Sequence, residues 1–299
     1  MIEGVSIPPP FLLAALVTAV CLTGCKRQHA WQQAGWRPAQ PAQRIVAHSV
    51  LAVESLLEVM PRERLAAVHS IAADERYSLV AHLTRGLKQV GATPEQLLSV
   101  RPDLVLVDAY TQAETLALLS AANVPVIRTL DPHNFADIEA NLRTLGRVTH
   151  LEEAVAEIIA ATQKKLTRLR AAGKPLSEWR LLSLDGAMHT LGKGSLFDVI
   201  VKTAGARNLA TENGVGAFRK LDIEEVLAWR PDAIVLLGSP PEGGGLPKWA
   251  DQCPGLSLLT CIKKGRVLYV PRRLLTTTSH RLVDSAEYVQ RRLMQWGKP

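Results

Sequence analysis

The sequence predicts an α/β protein: two similar lobes, each on a parallel sheet, joined by one long α-helix, with a ligand cleft between the lobes. Three observations predict it. Short apolar runs alternate with stretches of helical periodicity along the body of the chain, the pattern of parallel strands with crossover helices. A 15-residue segment of the first half recurs in the second, Thr93–Val107 (TPEQLLSVRPDLVLV) and Asp222–Leu236 (DIEEVLAWRPDAIVL). Between the halves runs one long amphipathic stretch, Thr149–Ala172. Composition agrees: the 299 residues are 47% hydrophobic but only 5% aromatic. That suits Leu/Val/Ala cores and excludes disordered, collagen-like and small disulfide-stapled classes. No run of 18 apolar residues follows residue 25, which excludes a multi-span membrane protein.

The chain opens on a targeting segment. Phe11–Leu22 is an apolar run of signal-peptide length, although Met1–Pro10 lacks the usual Lys or Arg. It ends in Leu22-Thr23-Gly24-Cys25, which resembles a bacterial lipobox, with Cys25 the lipidated first mature residue. Residues 1–25 are therefore expected to be a lipoprotein signal, and the body to be periplasmic or otherwise extracytoplasmic and membrane-anchored. Residues 26–43 are rich in Gln, Ala and Pro without apolar period and are expected to form a flexible tether. Only Cys253 and Cys261 remain in the body. An oxidising compartment permits a disulfide between them, and the absence of a CxxC pair speaks against structural zinc.

Each element of the body has its own signal. Arg44–Ala47, Leu65–Val68, Leu104–Val107 and Val126–Arg128 read as buried strands of a first lobe, residues 44–148, with helices at Leu51–Met60 and Ala113–Ala122. Arg180–Leu184, Ala233–Leu237 and Val267–Val270 read as strands of a second lobe, residues 174–299. In the repeated segments, Thr93 with Gln96 and Asp222 with Glu225 have capping-box spacing, and Pro102 and Pro231 stop the helices they begin. The connecting helix, residues 149–173, has apolar positions at 151, 155, 158, 159, 162, 166 and 169, with Thr149 and Glu152 as its expected capping box and Gly173 and Pro175 as its end. Ligands of open α/β sheets bind beyond the carboxyl ends of the strands, here the inter-lobe cleft. Loops at those ends hold Tyr110, Tyr77 and His48 in the first lobe, and His189, Arg272, Arg273 and His280 in the second. These are the candidate ligand-binding residues; the cations suit a carboxylate, a phosphate or an anionic iron complex.

The order of these features resembles a substrate-binding protein of an ABC importer, in the cluster that handles vitamin B12, iron-siderophores and haem. The resemblance covers about residues 43–297. It rests on Arg44-Ile45-Val46 leading to a helix with Glu54, Val90-Gly91 before the Thr93 helix, and Pro102-Asp103-Leu104-Val105. Ala122-Asn123-Val124-Pro125-Val126, the long connecting helix and Gly205-Ala206-Arg207-Asn208 complete it. It implies a monomeric, non-enzymatic protein that passes a small-molecule metal chelate to a permease dimer with its ATPase subunits. It also implies that Glu95 and Glu224, at matching positions of the two lobes, dock onto permease arginines, while Tyr110 resembles a ligand tyrosine of hydroxamate-siderophore binders. Haem-binding relatives commonly carry a tyrosine after the glycine where this chain has Ala92. Siderophore and cobalamin stay open as ligands, and no resident cofactor is expected.

Other classes fit less well. The net charge of +7 suits anionic ligands or lipid, but no Lys/Arg block exceeds three residues, so nucleic acid is not expected as a partner. The eight histidines form no HxH or HExxH cluster, which weakens a free-metal binder. Gly186–Gly194 has the wrong spacing for a P-loop, and no G-x-S-x-G elbow occurs. A membrane-anchored enzyme acting on a small anionic or metal-chelate substrate remains the rival class, since fold alone does not fix function.

Overall fold

The computed structural model describes residues 35–299. The expected signal, Cys25 and the first part of the expected tether lie outside the described residues. The first lobe contains β1 (Ile45–His48), α1 (Val50–Leu56), β2 (Leu65–His69), β3 (Gln89–Val90), α2 (Pro94–Ser99), β4 (Leu104–Val107), α3 (Ala113–Ala121), β5 (Val126–Arg128) and α4 (Phe135–Thr149). Its sheet is wholly parallel, in the order β3-β2-β1-β4-β5. Helix α5 (Glu152–Ala172) leads to the second lobe: β6 (Arg180–Leu184), β7 (His189–Thr190), α6 (Leu196–Ala204), β8 (Arg207–Asn208), α7 (Leu209–Glu212), β9 (Arg219–Lys220), α8 (Ile223–Trp229), β10 (Ala233–Leu237), α9 (Thr260–Lys263), β11 (Val267–Val270), α10 (Arg272–Thr276) and α11 (Leu282–Trp296). Here the parallel order is β11-β10-β6-β8, and β7 and β9 form a small antiparallel pair.

The strands IVAH and LVLV are buried at every position because helices cover both faces of the first sheet. Alternation sorts their side chains. Val46, Val105 and Val107 pack with Leu97 and Leu119 of α2 and α3, whereas Ile45, Ala47, Leu104 and Leu106 face the other side. That second side belongs to one apolar core which continues through Leu145, Val155 and Leu166 to Leu181, Val201 and Val289. The lobes therefore share a core through α4, α5, α6 and α11. At 21 residues, α5 is about 32 Å long, and its Lys165 pairs with Asp284 and Glu287 of α11, each at 2.6 Å.

The repeated segments are structural equivalents. Asp103 accepts the backbone N–H groups of Gln43 (2.7 Å) and Arg44 (2.9 Å), and the Arg44 guanidinium donates to the Val100 and Arg101 carbonyls. In the second lobe Asp232 accepts the N–H (3.0 Å) and Nε–H (3.1 Å) of Arg180, whose Nη2 donates to the Arg230 carbonyl. Arg101 and Arg230 each precede proline and take left-handed backbone, φ 50° and 49°. Proline disfavours right-handed helix at the preceding residue, so both helices end there.

Several expectations are corrected. Thr149 does not cap α5: it closes α4, its hydroxyl donating to the Leu145 carbonyl at 2.7 Å, and His150 (φ 58°) turns the chain. Residues 35–43, expected as the end of a free tether, pack on the first lobe and the start of α5: Ala42 is buried, its carbonyl accepting from Arg64, and Arg37 pairs with Glu152 at 3.2 Å. Cys253 and Cys261 are free thiols rather than a disulfide. Cys261 is a small core residue of the second lobe, and burial pushes its thiol up to about 11. The first helix is shorter than expected, and α4, α6 and α11 add to the expected helices, the first two capped by Asn134 and Ser195, which accept N–H groups at 3.0 and 3.2 Å. Gly205, from the quoted Gly-Ala-Arg-Asn motif, has φ +97° and sits against the Gly173 backbone with no room for a Cβ.

Candidate functional site

Because the first sheet is parallel, the carboxyl ends of its strands emerge at one edge and their loops converge there. Ser49 follows β1, Ile71 follows β2, Asp108 and Tyr110 follow β4, and Leu130 and Asp131 follow β5. With Thr276 and Thr278 of the second lobe they line an inter-lobe cavity of about 270 Å³. A second cavity, about 550 Å³, is lined by His48, Ala92, Glu95, Thr111 and Glu114 and shares His69, Asp108 and Tyr110 with the first.

Two imidazoles floor this region. His48 ends β1, is 5% exposed, and stands with its ring 4.4 Å from that of His69. Its Nε2 lies 3.1 Å from the Gly91 carbonyl and so carries the proton. The Nδ1 of His69 accepts the Ile71 N–H at 2.9 Å, so its proton is also on Nε2. Both rings are neutral donors, and burial holds His48 down to about 4, with the neighbouring His69 adding to the effect. His69 is lowered for the same reason, burial. Neither Nε2 offers a lone pair to a metal in this arrangement. The His48 Nδ1 is buried without a partner.

Tyr110 is 74% exposed, yet its hydroxyl donates to Asp131 at 2.5 Å. That bond, then partial burial, pushes the phenol up to about 12. Tyr110 is therefore a neutral hydrogen-bonding ring rather than a phenolate. Asp108 fixes its loop by accepting the Tyr110 N–H (3.0 Å) and the Thr111 hydroxyl (3.1 Å).

The structure thus brings His48 and Tyr110 together and distributes the other candidates. The guanidinium groups of Arg76 (5.6 Å) and Arg272 (5.5 Å) both lie over the Tyr77 ring. Arg273 donates to the Glu75 carbonyl at 3.3 Å. These residues clasp one lobe to the other instead of lining either cavity. His280 is displaced further. It faces a separate apolar cavity of about 160 Å³ between α4 and α5, with Ile138, Leu142 and Ile159; burial holds it down to about 4. His189 sits in β7, fixed by Asp185 at 3.1 Å and stacked on Phe218 at 4.5 Å. Glu95 and Glu224 are exposed first-turn residues of α2 and α8, at equivalent places in the two lobes.

Three residues beyond the expected ones line these cavities, His69, Asp108 and Asp131, and Phe218 adds an exposed ring in the second lobe. The first three had a signal, since each ends or follows a strand whose carboxyl edge was readable. Phe218 did not. It is 62% exposed beside the β7–β9 pair, and nearby Gly216 accepts the Gly192 N–H. Gly194, two residues on, touches His133 of the first lobe at 3.2 Å. The Gly192–Gly194 segment, on which the Phe218 loop packs, therefore borders the seam between the lobes. Of the exposed large apolar residues, Ile71, Tyr110, Leu130, Phe218 and Leu237 lie on strand-end loops or strand ends.

Glu54 of α1 is almost wholly buried at the same seam. Its carboxylate accepts the Leu79 N–H (3.0 Å) and, from the second lobe, the hydroxyls of Thr277 (2.5 Å) and Ser279 (2.6 Å). Burial raises it despite those donors and the nearby Arg281 charge.

Comparison with known proteins places this geometry. A family model described as periplasmic binding protein matches residues 45–274. The chain is 25% identical over 170 residues to the molybdate-binding protein MolA of Haemophilus influenzae, a match covering 50% of this chain and 48% of that protein. It thus spans about half the length of that curated relative. Among solved structures it is similar to the periplasmic heme-binding protein RhuT of Roseiflexus sp. RS-1, with TM-score 0.72 and 22% identity over 85% of this chain and 98% of that one. It is also similar to the periplasmic vitamin B12 binding protein BtuF of Vibrio cholerae, with TM-score 0.67 and 20% identity over 85% and 98%. At these identities the likeness establishes the fold.

Proposed function

Because this chain belongs to the periplasmic binding protein family, we propose that it captures a metal chelate outside the cytoplasm and delivers it to the permease of an ABC importer. It does so as a monomer, anchored through a lipidated Cys25, making and breaking no bond. Relatives named for haem, vitamin B12 and molybdate leave the ligand class to be argued from the site. One observation supports a chelate over a bare oxyanion: exposed apolar and aromatic side chains gather at the strand ends, with Ile71, Tyr110 and Leu130 in one cavity. A bare oxyanion has no apolar face to cover them, whereas an iron-siderophore or corrinoid has. Haem fits less well. Ala92 stands where haem-binding relatives commonly carry tyrosine, and Tyr110 keeps its phenol proton on Asp131.

The test is native mass spectrometry and tryptophan quenching against a ferric siderophore, cobalamin, haem and molybdate. The reading expects saturable binding of the siderophore or the cobalamin, with the ligand recovered unchanged. Binding of molybdate alone, or turnover of a chelate, would overturn it. For the anchor, Cys25→Ser should move the protein out of the membrane fraction or leave it unprocessed; unchanged fractionation and migration would remove the anchor.

A further inference from the structure

A second concavity lies away from the cleft, at the amino ends of β6, β10 and β11. It is a cavity of about 470 Å³ whose wall carries Arg180, Arg230, Lys264 and Arg266, with Asp232 and Pro299. Asp232 is already engaged by Arg180, at 3.1 Å. Among the described residues, Arg230, Lys264 and Arg266 form no ion pair, so the wall carries three cations beyond the Arg180–Asp232 pair. Arg266 is held in place: its guanidinium lies 4.9 Å over the Trp179 ring and donates to the Lys298 carbonyl at 2.9 Å.

The duplicated lobe serves as an internal control. Arg44, Arg101 and Asp103 occupy the places of Arg180, Arg230 and Asp232, so the Arg–Asp pair belongs to the fold. Before β5, however, the first lobe has Asn123-Val124-Pro125, where the second lobe has Lys264-Gly265-Arg266 before β11. The extra cations are not needed to make such a lobe. Like charges held together repel, and an anion seated among them relieves that repulsion.

We propose that this cavity binds a phosphate-bearing group. Guanidinium forks present paired N–H donors that match phosphate oxygens, and Lys264 adds a point charge. The group reaches the cavity either as free phosphate or as the headgroup of an anionic lipid. The site is independent of the cleft and of the import reading.

The test uses the full chain and the double variant Arg230→Gln with Lys264→Gln. Both residues are exposed, so the fold should persist, checked by circular dichroism. Inorganic phosphate is titrated by phosphorus NMR, and flotation compares phosphatidylglycerol-containing vesicles with phosphatidylcholine vesicles. Saturable phosphate binding, weakened about tenfold or more in the variant, supports the site with free phosphate as its ligand. A preference for the anionic vesicles that the variant loses, without binding of free phosphate, supports it with a lipid headgroup. Absence of both effects in the parent chain, or effects undiminished in the folded variant, overturns the proposal.

Discussion

Tyr110 projects from its loop with its ring free and its hydroxyl spoken for. Tyr110→Ala is therefore expected to cost little stability, since an exposed ring leaves no cavity, while weakening ligand binding. An aromatic face covered by the ligand contributes about 1.5–3 kcal/mol, so titration should show roughly a 10- to 150-fold loss of affinity. Unchanged affinity in the folded variant would remove Tyr110 from the site. Two buried histidines make a separate prediction. His48 and His280 are each held near 4 rather than 6.5. The unfolded chain takes up their protons first as pH falls, so their contribution is complete above about 6.5 and is lost progressively down to about 4. Glu54 acts in the opposite sense. Burial raises its carboxyl, so the folded chain holds that proton to higher pH than the unfolded chain does, and its share of stability declines as pH rises through that interval. The thermal midpoint should fall between pH 6.5 and 4, as up to roughly 3 kcal/mol of stability per histidine is lost. His280→Gln, distant from both cavities, should flatten that limb; an unaltered slope would show that His280 does not titrate there.

At the scale of elements, α1 and the segment between α10 and α11 form the bridge between the lobes. Glu54 takes two hydroxyl bonds from that segment, and Arg281 pairs with Glu58 one turn further along. Replacing Thr277 and Ser279 by Val and Ala leaves a buried carboxyl group short of donors, a cost of about 2–4 kcal/mol. Glu54→Gln should cost less, because its amide oxygen still accepts the Leu79 N–H while its NH2 donates to the Thr277 and Ser279 hydroxyls, which can turn to accept. Urea unfolding of the three proteins checks the order. A Thr277/Ser279 variant as stable as the parent would show that these bonds do not hold the seam.

For the whole molecule, the continuous core through α4, α5, α6 and α11 leaves little freedom for the lobes to swing. Recognition by a permease then depends on surface groups whose spacing the core fixes. Glu95 and Glu224 are such a pair, at equivalent places in the two lobes. The double variant Glu95→Ala with Glu224→Ala is expected to depress uptake. Each contact contributes roughly 2–5 kcal/mol if it is buried in the complex, and much less at a rim. Lysine should be worse than alanine. Glu95 also lines the larger cavity, so titration of the single Glu95→Ala variant must accompany uptake. Normal transport by the double variant would leave the two as helix-terminus acids only.

The sequence by itself determined the duplicated α/β plan and most of its strands. Apolar runs such as LVLV and AIVLL are long enough to be buried on both faces, and the Arg-Pro-Asp repeats fix where helix gives way to strand. It also indicated the edge of the sheets where the candidates His48 and Tyr110 lie together. Periodicity says nothing of contacts across chain distance, and there the tertiary structure decided. Arg272, Arg273 and Tyr77 share the predicted edge, but cross-lobe bonds make them a clasp. His280 follows Ser279 directly, yet packing turns it into the α4–α5 seam. Glu54 reads as a helix residue until Thr277 and Ser279, more than 220 positions away, meet its carboxylate. The Thr149–Glu152 spacing matched a cap, but the chain reversal at His150 assigned Thr149 to the helix before it. Local spacing fixes the elements because backbone bonding is local; which side chains face one another follows from how the shared core packs, and that is a property of the whole chain.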